Sequence, residues 1–130
     1  AGVFSKGTQR LLQAMKGNAV RRLVCVTGIG AGDSKGHGGF LYDRVFFPLL
    51  LKSVYADKDA QEALIRAADV DWTIVRPGFL TNGPLTRSYR VLTDLAGVTA
   101  GRISRADVAH FMLEELVGNM YLRKTPLLTY

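Results

Sequence analysis

Arg22-Leu23-Val24-Cys25-Val26-Thr27 and Asp71-Trp72-Thr73-Ile74-Val75-Arg76 are the two stretches on which the fold turns. Each is a short apolar run rich in β-branched residues. Such runs read as strands buried on both faces, as in a parallel sheet. Upstream of the first, Val3/Phe4, Thr8, Leu11/Leu12 and Met15 recur at helical spacing, which predicts a helix from Ser5 to Lys16, stopped by Gly17-Asn18. Between the two runs come a glycine-dense loop from Gly28 to Gly39 and a helical pattern from Phe40 to Ala68, with Pro48 starting or kinking a segment. Its second part, Ala56 to Ala68, is rich in good helix formers.

Downstream, Pro77-Gly78 ends the second strand and Thr81-Asn82-Gly83-Pro84 is a turn cluster. Tyr89-Arg90-Val91-Leu92 predicts a short strand. Ser104-Arg105-Ala106-Asp107 reads as a capping box opening a helix to Val117. Leu127-Leu128-Thr129 predicts a last, edge strand. Helices and strands thus alternate, which argues for α/β with a partly parallel sheet. Right-handed crossovers place the helices on the sheet faces. Ligands of open α/β sheets bind beyond the carboxyl ends of the strands. The segments Gly28–Gly39 and Pro77–Arg87 lie there.

A chain of 130 residues suits one domain, and 48% hydrophobic with 22% charged residues suits a globular one. The net charge is +6, but no basic run exceeds two residues and no zinc-type Cys/His spacing occurs. That pattern argues against nucleic acid and against a metal, and suits a small anionic ligand such as a dinucleotide. Cys25 is the sole cysteine, so no disulfide forms within the chain and an oxidising compartment is not implied. A cytoplasmic protein is the expectation. No run approaches the ~18 apolar residues of a membrane span, so no membrane partner is expected. The start at Ala1-Gly2 resembles no signal peptide and lacks Met, which reads as a chain beginning inside a larger protein, or processed or trimmed.

Gly28-x-Gly30-x-Gly32 after a strand approaches the dinucleotide fingerprint. The fingerprint needs a third glycine at position 33, where Asp33 places an anion in the phosphate seat. The loop therefore reads either as a plain glycine-rich loop at the strand edge or as one that approaches a ligand closely for want of side chains, and not as a pyrophosphate cradle.

Three blocks carry a family likeness. Gly7 to Lys16 with Val20 to Ala31, then Asp71 to Thr81, then Ile103-Ser104-Arg105-Ala106-Asp107-Val108-Ala109, occur in order and cover nearly the whole chain. They resemble the fourth helix and fifth strand, the sixth strand with its loop, and the late helix start of the atypical short-chain dehydrogenase/reductase (SDR) family, the NAD(P)H-binding proteins related to NmrA and flavin reductase. The resemblance implies a Rossmann-like, doubly wound, mostly parallel sheet lacking its N-terminal strand–helix units, with residues 1–130 as the C-terminal part of one domain. It implies NADP or NAD as cofactor. The family's pyrophosphate loop and ribose-phosphate selector have no counterpart here, so the nicotinamide and substrate half of the site remains, and tight cofactor binding by these residues alone is not expected.

Carried over by position, Thr27, Gly28 and Ile29 match the end of the family's fifth strand. Gly28 replaces the catalytic Ser of many SDR enzymes, which leaves Thr27 as the neighbouring hydroxyl. Lys58 matches the lysine that binds the nicotinamide ribose. Thr27 and Lys58 are the candidate catalytic residues. Pro77, Gly78, Phe79 and Leu80 match the loop whose backbone holds the carboxamide. The Tyr-x-x-x-Lys pair is absent; Tyr55 precedes Lys58 by three, one position short. His37 and His110 show no paired carboxylate at useful spacing. The resemblance implies hydride transfer to a small planar acceptor such as a flavin or quinone. The alternative is a non-catalytic NAD(P)-sensing or interaction module of the NmrA kind. Pairing with a further copy, or with the missing N-terminal segment, is the expected protein contact.

Overall fold

The structure, a computed structural model, describes residues 2–28 and 52–130, with side chains left aside at 52, 53 and 55. The expectations that rest on Ile29, His37 and the rest of the glycine-rich loop, on the Phe40–Leu51 pattern and on the Tyr55 side chain lie outside the described residues.

Helix α1 spans Val3–Gly17, strand β1 Arg22–Val26, helix α2 Lys52–Ala67 and strand β2 Asp71–Pro77. The chain continues through β3 (Phe79–Thr81), β4 (Arg90–Leu92), β5 (Arg102–Ser104), α3 (Arg105–Gly118) and β6 (Leu127–Thr129). The main sheet runs in the order β1-β2-β6-β4. β1 pairs with β2 in parallel, Arg22 opposite Asp71 through Val26 opposite Val75. β2 and β6 are parallel, and β4 returns antiparallel to β6. A separate parallel pair, β3 with β5, continues beyond the end of β2.

Side chains of a strand alternate between faces. Leu23, Cys25, Trp72 and Ile74 accordingly pack against Leu12 and Met15 of α1 and Ile65 of α2. Val24, Val26, Val75 and Leu128 pack against Val108 and Phe111 of α3. Apolar residues at successive positions of these strands thus feed two cores, with α1 and α2 on one face and α3 on the other. The layered α/β architecture is as expected.

Two local expectations are corrected. Leu127–Thr129 is not an edge strand: β4 covers it, and all three residues are buried. The edge position falls to β4, whose residues are half-buried or exposed. The Ser104 side chain caps α3, accepting from the Asp107 N–H at 3.0 Å. The return half of the capping box is not made, because the Ser104 N–H donates to the Tyr130 hydroxyl and the Asp107 carboxylate is taken up elsewhere.

Helix α1 begins at Gly2 with φ +84° and no side-chain cap of its own. Its first amides find their acceptor on α2. Asp57 accepts from Phe4 N at 2.7 Å and Ser5 N at 3.2 Å, and also from the Ser5 hydroxyl. A carboxylate at a helix N-terminus satisfies orphan donors and meets the positive end of the helix dipole. At the opposite end of the molecule, buried Glu115 of α3 accepts from Arg22 at 2.6 Å and from the Tyr121 N–H at 2.9 Å, which ties α3 to the start of β1.

Candidate functional site

β1 and β2 are adjacent and parallel, so their exits open at the same end of the sheet. The Thr27 N–H donates to the Val75 carbonyl at 2.9 Å, which extends the ladder to the lip of the sheet. Gly28 follows with φ +150°, a backbone conformation that side chains disfavour. Glycine therefore matches the local backbone at this position.

From β2 the chain passes through Pro77 and Gly78 into β3. Gly78 N–H donates to the Leu128 carbonyl and Phe79 N–H to the Gly101 carbonyl, both at 2.9 Å. A Cβ on Gly78 would run into the Gly101 carbonyl oxygen. Only glycine permits this approach of two backbones. Phe79 and Leu80 emerge beyond it, 40% and 43% exposed. The two candidate segments, Thr27–Gly28 and Pro77–Leu80, are thus brought to one end of the sheet.

Lys58 joins them from α2. Its ammonium donates to the Thr27 carbonyl at 2.7 Å and lies 5.2 Å from the centre of the Phe4 ring. Burial pushes the Lys58 pKa below its ordinary value. Thr27 is 3% exposed, and its hydroxyl donates to Glu62 at 2.7 Å. Its proton faces α2, into the protein.

Glu62, one helical turn beyond Lys58, is the centre of this cluster, and sequence reading missed it. Its Oε1 accepts from Arg76 Nη2 at 2.7 Å, and its Oε2 accepts from Arg76 Nε at 3.1 Å. Arg76 is fully buried and Glu62 nearly so. The signal was available: Arg76 closes a run read as buried on both faces, and a buried guanidinium demands a carboxylate. The i, i+4 spacing of Lys58 and Glu62 puts both on the helix face toward the sheet. On the same face Gln61 donates to Cys25 Sγ at 3.3 Å. Burial, with the Glu62 charge second, pushes the Cys25 thiol up, away from the thiolate.

His110 differs from the sequence expectation. Its Nε2 lies 3.6 Å from Glu114 four residues on, and its Nδ1 lies 2.8 Å from the Tyr89 hydroxyl. These contacts sit on the α3 face of the sheet, opposite Lys58 and Glu62. Among the described residues no three His, Cys, Asp or Glu side chains gather as a metal site, and no helix is long and apolar enough to cross a membrane. A concavity of about 550 Å³ lined by Leu12, Met15, Val20 and Ala68 lies at the opposite end of the sheet from these exits.

Comparison with known proteins places this geometry. An anaerobillin reductase from Escherichia coli O157:H7 superposes with a TM-score of 0.84 at 20% identity, over 98% of this chain and 58% of its own. A short-chain dehydrogenase/reductase from Veillonella parvula, solved in complex with NADP, gives 0.84 at 18% identity, over 100% of this chain and 60% of its own. An oxidoreductase from Lactococcus lactis gives 0.77 at 22% identity, over 95% and 52%. The chain therefore spans a little over half the length of these proteins, and shares with them a Rossmann-like fold. A family model described as NAD(P)H-binding matches residues 1–117. With nine-tenths of its residues covered by that model, the chain belongs to the NAD(P)H-binding family.

Proposed function

We propose that this chain is the nicotinamide- and substrate-facing part of a Rossmann-like domain whose whole protein passes hydride from NADPH or NADH to a small planar acceptor such as a flavin or quinone. The observation that carries the reading is Lys58 held on the Thr27 carbonyl, at the lip of two parallel strands. The neighbour solved with NADP and the neighbour named as a reductase support it.

The residues present suit the nicotinamide half of the cofactor. An ammonium carries three donors, and the bond to Thr27 fixes where Lys58 aims them. In this reading Lys58 donates to the ribose hydroxyls, while Thr27, Gly28 and Ile29 bound one side of the ring. Pro77, Gly78, Phe79 and Leu80 bound the other, with the exposed Phe79 and Leu80 side chains as an apolar wall. When bound, a reduced nicotinamide supplies the hydride; the chain supplies position and electrostatics.

Thr27 acts here by position. Its hydroxyl proton is committed to Glu62, so the acceptor's proton comes from another source, water being the simplest. An acceptor that is easily reduced fits that arrangement. The same observation favours, as the second reading, a domain that senses NAD(P) without catalysis.

Recombinant protein, as this chain and as a longer form extended to the length of its neighbours, is mixed with NADPH and a flavin or quinone. The expected result is acceptor-dependent loss of nicotinamide absorbance from the longer form, with little cofactor binding by the 130 residues alone. A Lys58→Ala change is expected to weaken NADPH binding about tenfold. Binding without turnover supports the sensing reading. Unchanged affinity in the Lys58 variant removes Lys58 from the site.

A further inference from the structure

We propose that the concavity at the N-terminal ends of β1 and β2, beside the last turns of α1 and α2, binds an aliphatic carboxylate, with its chain against Leu12, Val20 and Ala68 and its head at Lys16. The site lies at the far end of the sheet from the strand exits, so the inference does not rest on the function proposed above.

Shape and lining are the first observation. The concavity measures about 550 Å³. Small-molecule sites commonly measure roughly 300–1,000 Å³. Three segments build it: the last turns of α1, the turn into β1 and the turn into β2. Leu12, Met15, Ala19, Val20, Ala68 and Val70 supply its apolar surface. None is aromatic, so the walls offer no ring to stack on. Aliphatic and thioether side chains suit a flexible hydrocarbon chain instead.

Backbone shape is the second. Gly17 and Asn18 stand where a left-handed helix stop is easy, yet Ala19 is the residue with φ +57°. The Val20 N–H donates to the Met15 carbonyl at 2.9 Å and the Ala19 N–H to the Lys16 carbonyl at 3.5 Å. That pattern is the usual glycine-ended helix stop, here closed by a residue with a side chain. Left-handed positions of this kind are uncommon and gather at functional sites. The stop sets Val20 against the concavity, 49% exposed.

Charge is the third. Arg21 lies 3.2 Å from Asp69 and 3.7 Å from Asp71, and Arg123 lies 3.9 Å from Asp71. Those four charges balance. Lys16 has no carboxylate within ion-pair distance among the described residues. Gln13, three residues before it and on the same helix face, adds an amide donor to the lining. The α1 dipole accounts for a lysine in the last turn, but not for the apolar hollow beside it. One uncompensated ammonium on such a hollow matches one anionic head on an apolar chain.

The fourth observation lies behind the wall. Trp72 packs with Leu12, Met15, Ala68 and Val70, all of which line the concavity. Its indole N–H is buried and meets no acceptor among the described residues. A buried donor without a partner is rare and costly. This one sits a single layer of side chains behind the hollow.

Trp72 is the sole tryptophan, so its emission reports on this wall. Decanoate and decanol, one chain with two heads, are titrated into the protein at neutral pH, below the concentrations at which they aggregate. A saturable change in Trp72 emission is expected with both, and decanoate binds about fivefold tighter. Lys16→Gln brings decanoate to the level of decanol and leaves decanol unchanged. Lys6→Gln, near the other end of α1, changes neither. Ala68→Phe fills the hollow and abolishes both. Val20→Asp, at an exposed position, weakens decanoate more than decanol without touching the core. No saturable change with either probe overturns the site. Equal affinity for the two probes overturns the carboxylate head, as does a preference that Lys6→Gln reduces as much as Lys16→Gln. NADPH is expected not to compete with decanoate; competition would put both at the strand exits and overturn the proposal.

Discussion

Arg76 and Glu62 form a two-pronged ion pair with almost no solvent access, at 2.7 and 3.1 Å, directly beneath the exit of β1. The pair joins β2 to α2, and through the Thr27 hydroxyl it joins both to β1. Buried pairs of this kind contribute less net stability than their geometry suggests, yet breaking one leaves an unpaired buried charge. Arg76→Met is expected to cost about 3–5 kcal/mol in denaturant unfolding. The double change Arg76→Met/Glu62→Leu should recover most of that loss. Recovery that fails to appear would mean the pair is not the reason the single change destabilises.

Asp107 predicts the acid behaviour. Burial opposes its ionisation, but donors from Tyr130, Thr86 and Arg87 outweigh burial and hold its carboxyl well below the usual range. A carboxylate depressed in the folded state adds stability above its unfolded pKa, and that stability is lost as pH falls toward the folded value. Below about pH 4, the ordinary aspartate value, unfolding stability should fall with pH. Asp107→Asn should flatten that slope and lower stability at neutral pH. A pH series of denaturant melts on both proteins reads the difference directly.

Two glycines should respond oppositely to alanine. Gly78→Ala drives a methyl into the Gly101 carbonyl, so β3 and β5 must part and the melting temperature should fall. Gly7 lies inside α1, where an added Cβ meets nothing within 4 Å. Gly7→Ala should raise stability by about 0.5–1 kcal/mol, the usual gain from removing backbone freedom in a helix. Thermal melts of the two variants decide it.

Asp57 caps a helix that is not its own. Asp57→Ala should release the Phe4 and Ser5 amides, which donate to it. Hydrogen exchange at those two amides should accelerate, while amides in the middle of α1 change little. Uniform acceleration along α1 would show that Asp57 supports the whole helix rather than its first turn.

The elements of this fold were legible because their signals are local. The run from Arg22 and the run from Asp71 lack polar alternation, and only a strand covered on both faces tolerates that. The α1 periodicity and the Ser104 cap are likewise written in neighbouring residues. The exit segments followed from the strand order, and Lys58 was singled out through family likeness, since position in a known order carries what composition cannot. The edge was misplaced because three apolar residues near a terminus say nothing about their neighbours across a sheet. β6 lies inside the sheet only because β4 returns antiparallel to cover it.

The two apolar strands, the helices that flank them and the short strands from Arg90 and Leu127 were decided by sequence alone, because hydrophobic period and turn chemistry act over a few residues; the β3–β5 pair was not, because three-residue strands beside turn residues carry no such period. Which charges meet was decided by the tertiary structure. Glu62 reaches Arg76 across 14 residues, Asp57 reaches Phe4 across 53, and Asp107 reaches Tyr130 across 23. A buried charge must find its partner in space, and sequence distance does not limit where that partner comes from.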